Sequence, residues 1–277
     1  MNKMIGINII RRGGLLVAGL SAAALILAAC SSAGGSGGSG GAPLTPRHAL
    51  LAAATQARHM TSATEILTTR ISGIQSETLT GTVLVQLKPT LQLDANLSLA
   101  AAGKSTKIRE ILTGTDLYLS TASLTTQFGK PWVKVDLSTL KGTAAAGLAQ
   151  LVHSLQNSNF SSQAETLSLA KNARVVGTRT VDGVSTTEYA CSVKAAEALK
   201  ALPASFRKSL APELRALGNA TLSFRVWIDG QNQMRKVIEV VTVNGETVHT
   251  TVTVTAINQP VHITLPPASQ TATRPGL

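Results

Sequence analysis

The chain alternates. In "LQLDANLSL", residues 91 to 99, Leu91, Leu93, Ala95, Leu97 and Leu99 hold every second position, and Gln92, Asp94, Asn96 and Ser98 hold the others. Successive side chains of a strand point to opposite faces, so this period gives one strand an apolar face and a wet face. The same period runs through "LTGTVLVQLK" at 79 to 88, where Val83, Val85 and Leu87 coincide, and through "ATLSFRVWID", where Leu222, Phe224, Val226 and Ile228 do. Residues 64 to 72, "TEILTTRIS", are rich in β-branched types. A chain written this way makes antiparallel strands with one apolar side, and that side has to be covered.

Turn and helix signals set the rest of the plan. Asp182-Gly183 and Asn244-Gly245 are strong two-residue hairpin signals, Gly114 stands at the bend between residues 107–112 and 116–120, Asp229-Gly230 is a further turn candidate, and 131–137 is a short strand. Thr45 followed by Pro46 opens a helix expected over 46–60. Leu148, Leu151, Val152 and Leu155 form a helical stripe within 143–155, and 194–217 is expected to be helical in two pieces broken at Pro203 and Pro212. The count comes to about nine to eleven strands. This alternation of strand runs and helices predicts an α+β fold: a single curved antiparallel β-sheet, or half-barrel, with helices packed on its concave face. Residues 266–277, with adjacent prolines, polar side chains and a terminal glycine-leucine, are expected to be a disordered tail.

The N-terminus carries a different message. Lys3, Arg11 and Arg12 precede an apolar run from Leu15 to Leu27, and small residues Ala28 and Ala29 precede Cys30. This is the layout of an export signal, and the run is shorter than the roughly 20 apolar residues of a spanning helix. Residues 31–41 are almost wholly Ser and Gly, a flexible coil able to hold a folded body roughly 20 Å from its attachment point. The expected parts are therefore a signal peptide at 1–29, Cys30 with its tether over 30–44, a folded domain over 45–265, and the tail. Gly35, Gly37 and Gly40 satisfy G-x-G-x-x-G within the tether, but they lack the flanking strand and helix that a phosphate cradle needs.

Beyond residue 29 the chain has 22 basic and 14 acidic residues, a net charge of +8. Such a surplus favours anionic partners. Nucleic acid is excluded by the export signal, by scattered rather than clustered bases, and by an aromatic content of only 3%. Beyond Cys30 at the head of the tether, Cys191 is the one other cysteine, and it is read as a small buried apolar side chain. No catalytic, metal or cofactor site is expected. His48, His59, His153, His249 and His262 lack metal-ligand spacing, and the S-x-x-K matches at Ser168 and Ser205 lack their companion motifs.

Leu27-Ala28-Ala29-Cys30 resembles the lipobox of bacterial lipoproteins, in which the cysteine is diacylated and becomes the first mature residue. Together with "ARHMTSA", "GKPWVKVDLS", "VVGTRTVDGVSTTEY" and "VWIDGQNQMRKV", it makes the chain resemble the actinobacterial lipoprotein family of LppX and its LprA, LprF and LprG relatives. The resemblance implies a half-barrel, shared with periplasmic lipoprotein-sorting carriers, that holds acyl chains of a lipid or glycolipid and carries them across the cell envelope. It implies no catalytic residue. It places the chain outside the cell membrane, anchored through Cys30, with export machinery as a further partner class. An interior for acyl chains needs soft aliphatic walls, and 44% of the residues are apolar while few are aromatic. The expected lining is Val83, Val85, Leu91, Leu93, Leu97, Leu99, Leu117, Leu119, Phe224, Val226 and Ile238. The alternative is a non-enzymatic envelope interaction module with a solid core that binds an anionic polymer or a partner protein.

Overall fold

Two runs of antiparallel strands meet at a single seam. The computed structural model describes residues 45–57, 59–73, 76–139, 172–201, 215 and 217–274. Helix α1 (Pro46–Ala57) leads into β1 (Ser62–Ser72), β2 (Glu77–Gln86), β3 (Gln92–Ala101), β4 (Lys104–Thr113) and β5 (Asp116–Ser120), then α2 (Ala122–Phe128) and β6 (Trp132–Asp136). The second run is β7 (Arg174–Val181), β8 (Val184–Lys194), α3 (Ala195–Ala201), β9 (Thr221–Asp229), β10 (Met234–Val243) and β11 (Glu246–Thr255). A last strand, β12 (Thr271–Arg274), closes the described chain. All strands belong to one twelve-stranded sheet in the order β12-β6-β5-β4-β3-β2-β1-β11-β10-β9-β8-β7. The runs join where β1 pairs with β11, in register from Thr64 with Thr255 to Ser72 with Thr247.

Local chemistry explains the hairpins. Asp182 and Gly183 have φ of 48° and 77°, and Asn244 and Gly245 have 53° and 79°. Two consecutive left-handed residues make the tight turn whose twist suits flanking strands, and Asp, Asn and Gly tolerate it best. The β9–β10 connection differs from the expected turn at Asp229-Gly230. It spans residues 230–233, and the Asp229 carboxylate organises it by accepting from the backbone N–H of Gln231 and Gln233 at 2.9 and 2.8 Å and from Arg235 Nε at 2.7 Å.

Helix α1 buries Ala49, Leu50, Ala53, Ala54 and Ala57 in an apolar cluster that reaches strands from β3 to β8, and it also touches the edge strand β7. The seven strands from β3 to β8 would spread over roughly 30 Å if flat, whereas a helix is about 10 Å across, so the sheet curls around α1. The small side chains of "ALLAAATQA" let the helix approach the sheet closely. Helix α3 covers the same face farther along, where Ala195 and Ala198 pack with Val193, Leu222 and Val241. The expected fold class is observed: a curved sheet, antiparallel except at β12, with helices on one side.

Three departures from expectation have clear causes. Helix α1 stops at Ala57, short of residue 60, and Met60 enters the core beyond the helix end. Helix α2 was not expected in "ASLTTQF", a short threonine-rich stretch; a side-chain cap at Thr121, accepting from Leu124 N at 3.2 Å, and a left-handed Gly129 bound it. The tail is ordered in part. Residues 271–274 pair parallel with β6, from Thr271 beside Trp132 to Arg274 beside Val135, and so satisfy what would be a bare sheet edge. The helix expected over 143–155 and the second piece of the one over 194–217 lie outside the described residues.

Gly81, on the α1 side of β2, marks the tightest strand approach. A Cβ placed there would lie 2.2 Å from the Asn96 carbonyl oxygen and 2.7 Å from Leu97 Cδ2. Replacing Gly81 by Ala forces β2 and β3 apart. The Gly81→Ala variant is expected to lose about 1–3 kcal/mol of stability, read as a lower urea midpoint at unchanged m-value. A wild-type midpoint would show that the strands relax without cost.

Candidate functional site

Register assigns each side chain to one of two faces. From Leu67, opposite Gly81 and Val252, the side facing α1 continues through Leu97 and Ile108 in one direction and through Val237, Val226 and Tyr189 in the other. We term this the inner face. Val83, Val85, Leu93, Leu97, Leu99, Leu117, Leu119, Phe224 and Val226 all belong to it. Val83, Leu97 and Val226 are buried, whereas Val85, Leu93, Leu99, Leu117, Leu119 and Phe224 remain half-exposed although they face inward. Leu91 is buried just ahead of β3. Ile238 departs from the expectation. It pairs with Arg225 and Thr251 on the opposite phase from Val237, so it faces outward, where it lines an open groove of about 350 Å³ with Arg174, Arg225 and His249. The run "MRKVIEVV" is apolar on both phases, and alternation alone picked the wrong one.

Besides the cluster under α3, the inner wall has two apolar clusters. One surrounds α1, with Val85, Leu93, Leu99 and Ile108 at its margin. The other unites Val133, Val135 and Leu137, with Leu112, Leu117, Leu124 and Phe128 at its margin, beneath α2. The half-exposed residues between them lie on β3, β4 and β5. Hydrocarbon offered here would bury aliphatic surface at roughly 25 cal/mol per Å².

Three carboxyls share this wall, and the sequence reading missed them. Glu65 lies between Val83 and Val254, Glu239 between Phe224 and Thr250, and Glu110 between Ala95 and Leu119. Their signal was present in the alternation, because Val237, Glu239 and Val241 occupy one phase, as do Ala63, Glu65 and Leu67. Burial pushes the Glu65 and Glu239 carboxyls from 4.5 up to about 7, and raises Glu110 for the same reason. Cys191, opposite Phe224, is buried as expected, and burial pushes its thiol up to about 11, which keeps it protonated.

The outer face is basic. Arg70, Lys107, Arg109, Lys134, Arg174, Arg225 and Lys236 occupy its phase. Several are held in place: Arg109 grips Asp94 through both carboxylate oxygens, at 3.3 and 2.8 Å, and lies 5.4 Å above the Trp132 ring. Arg225 pairs with buried Glu188 at 3.1 Å, and Lys236 stands 5.2 Å over Trp227. Among the described residues no cluster of His, Cys, Asp and Glu is arranged to hold a metal ion, and no helix is long and apolar enough to cross a membrane.

An open, curled sheet wrapped around helices on one face defines the class of fold. Solved structures similar to the chain include LprF from Mycobacterium bovis, at 13% identity and a TM-score of 0.49 over 80% of this chain and 96% of that one. The lipoprotein LppX of Mycobacterium tuberculosis matches at 17% identity and a TM-score of 0.42 over 79% and 98%. A LolA-superfamily protein from Nitrosomonas europaea matches at 9% identity and a TM-score of 0.29 over 80% and 96%. These are the structures that the resemblance read from the sequence points to. No family model and no curated protein matches the sequence.

The raised carboxyls set a pH dependence. Between pH 4.5 and about 7 the folded chain keeps protons on Glu65 and Glu239 that the unfolded chain has released. Their contribution to stability is therefore greatest at acidic pH and is lost as pH rises through 7, by on the order of 3 kcal/mol per group. The double variant Glu65→Gln/Glu239→Gln is expected to flatten this part of the stability profile, measured by urea unfolding from pH 4.5 to 8. A slope identical to that of wild type would remove both groups as its source.

Proposed function

We propose that this chain is a membrane-tethered lipoprotein whose folded domain, residues 45–265, binds the acyl chains of a lipid or glycolipid against its inner face and carries them across the cell envelope. Signal residues 1–29 are removed on export, Cys30 is acylated on the outer side of the cell membrane, and the Gly/Ser tether lets the domain move. Two acyl chains hold a protein on a bilayer where one alone binds only reversibly. The single observation that carries the reading is the row of inward-facing but half-exposed aliphatic side chains: Val85, Leu93 and Leu99 beside α1, and Leu117 and Leu119 toward α2. A solid core would bury such side chains fully, and a lipid-binding wall leaves them to the ligand. The aliphatic character of this row suits flexible hydrocarbon and offers little to a planar or highly polar ligand.

The basic outer face favours a second reading, an envelope interaction module that binds an anionic polymer or a partner protein through that surface. One experiment separates the two. Organic extraction of the purified full chain releases only non-covalent lipid, leaving acyl groups attached at Cys30. Mass spectrometry is expected to find about one lipid per chain, and Leu99→Arg to reduce it several-fold while the circular dichroism is retained. An empty protein that stays empty when lipid is offered leaves the interaction module standing. Incorporation of labelled palmitate into the full chain is expected to vanish in Cys30→Ser; persistence of label would relocate the anchor.

A further inference from the structure

The inner wall holds polar groups that the fold does not use. Glu239 is 7% exposed, and its Oε2 is fully enclosed with no hydrogen-bond partner. Beside it on adjacent strands, Thr250 and Thr69 are 3% and 2% exposed and share a hydrogen bond of 3.3 Å between their hydroxyls. Glu239, Thr250 and Thr69 thus form a polar row across β10, β11 and β1, inside a wall otherwise made here of Val237, Val241, Phe224 and Leu79. Glu65, also buried, lies on the same face about 13 Å along β1. A buried polar group left unpaired costs about 1–3 kcal/mol, and an apolar residue in its place would avoid that cost. Buried polar groups in native proteins have partners, so one is to be sought in whatever occupies the wall.

We propose that Glu239, with Thr250 and Thr69, is a polar subsite within the apolar wall that hydrogen-bonds a hydroxyl group borne along the hydrocarbon of the bound lipid. This rests on the lipid-binding reading above and specifies its ligand. An uncharged carboxyl donates through one oxygen and accepts through the other, and threonine hydroxyls also do both. A hydroxyl is the complementary group, since an ester oxygen only accepts and a methylene does neither. Burial keeps the Glu239 carboxyl protonated up to about pH 7, which suits an uncharged partner. A hydroxylated chain would lie across the strands with its hydroxyl over the polar row and its methylenes over the flanking valines. Recognition of this kind discriminates strongly, because the chain that lacks the hydroxyl leaves the buried site unpaired.

The test uses the delipidated full chain in a neutral detergent at pH 6, with methyl stearate, methyl 12-hydroxystearate and octadecylamine as probes and bound probe quantified after gel filtration. Wild type is expected to retain the hydroxylated ester about tenfold more tightly than methyl stearate. Glu239→Leu and Thr250→Val are expected to remove that preference, and Glu239→Gln, which still donates and accepts, to keep most of it. A preference unchanged in Glu239→Leu overturns the subsite while leaving lipid binding intact, as does selection of octadecylamine over both esters. Failure of every version, wild type included, to retain either ester overturns the subsite together with the lipid-binding reading.

Discussion

The pairing of β1 with β11 decides the phase of everything else. Each run of strands is a meander whose neighbours copy their register from one another, so the seam fixes which side chains of both runs look toward α1. A slip of one residue there would leave Leu67 facing α1 but pair it with Thr251 or Thr253, turning Val252 and its whole run of strands outward relative to the other half. The chain guards the seam at its end. Asn258 accepts from the Thr61 backbone N–H at 2.8 Å and Asn258 N donates to the Ser62 carbonyl at 2.9 Å, tying the residues after β11 to the start of β1. Only with that phase set do the alanines of α1 find a continuous apolar floor.

Two-sidedness also sorts charge. Several bases on the outer face are held by Asp94, Glu188, Trp132 and Trp227, whereas the inner face carries buried acid with no ion-pair partner among the described residues. An acid in such a place is tolerated because it can keep its proton; a lysine or arginine could not shed its charge so readily. The outer bases oppose the approach of cations and favour anionic surroundings, so the two faces meet different chemistry although only one pleated layer separates them.

Much of this was legible from residue order. Alternation located the strands, Asp182-Gly183 and Asn244-Gly245 located hairpins, and the phase of residues 83–99 located the inner wall. What escaped shares a physical cause: it depends on partners distant in the chain. Ile238 lies in a stretch apolar on both phases, so only its pairing with Arg225 reveals where it points. Glu65 and Glu239 read as ordinary polar strand residues until register places them among valines. The strand at 271–274 exists because β6 offers it an edge, which nothing in "TATR" announces. Helix α2 is bounded by the Thr121 cap and the left-handed Gly129, and its Leu124 and Phe128 find their partners on β6 and just beyond it.

The two borders of the sheet are finished differently. On one side the chain's own end lies along β6. On the other, β7 exposes Val175 and Val176, and its pairing with β8 skips between Val175 and Gly177. A displaced residue in the outermost strand breaks the even spacing of donors and acceptors that an incoming strand would have to match. An unclosed sheet of this breadth would otherwise be prone to pair edge to edge with further copies. The short parallel strand at one border and the irregular one at the other blunt both edges, so the sheet stays open without presenting a long regular edge.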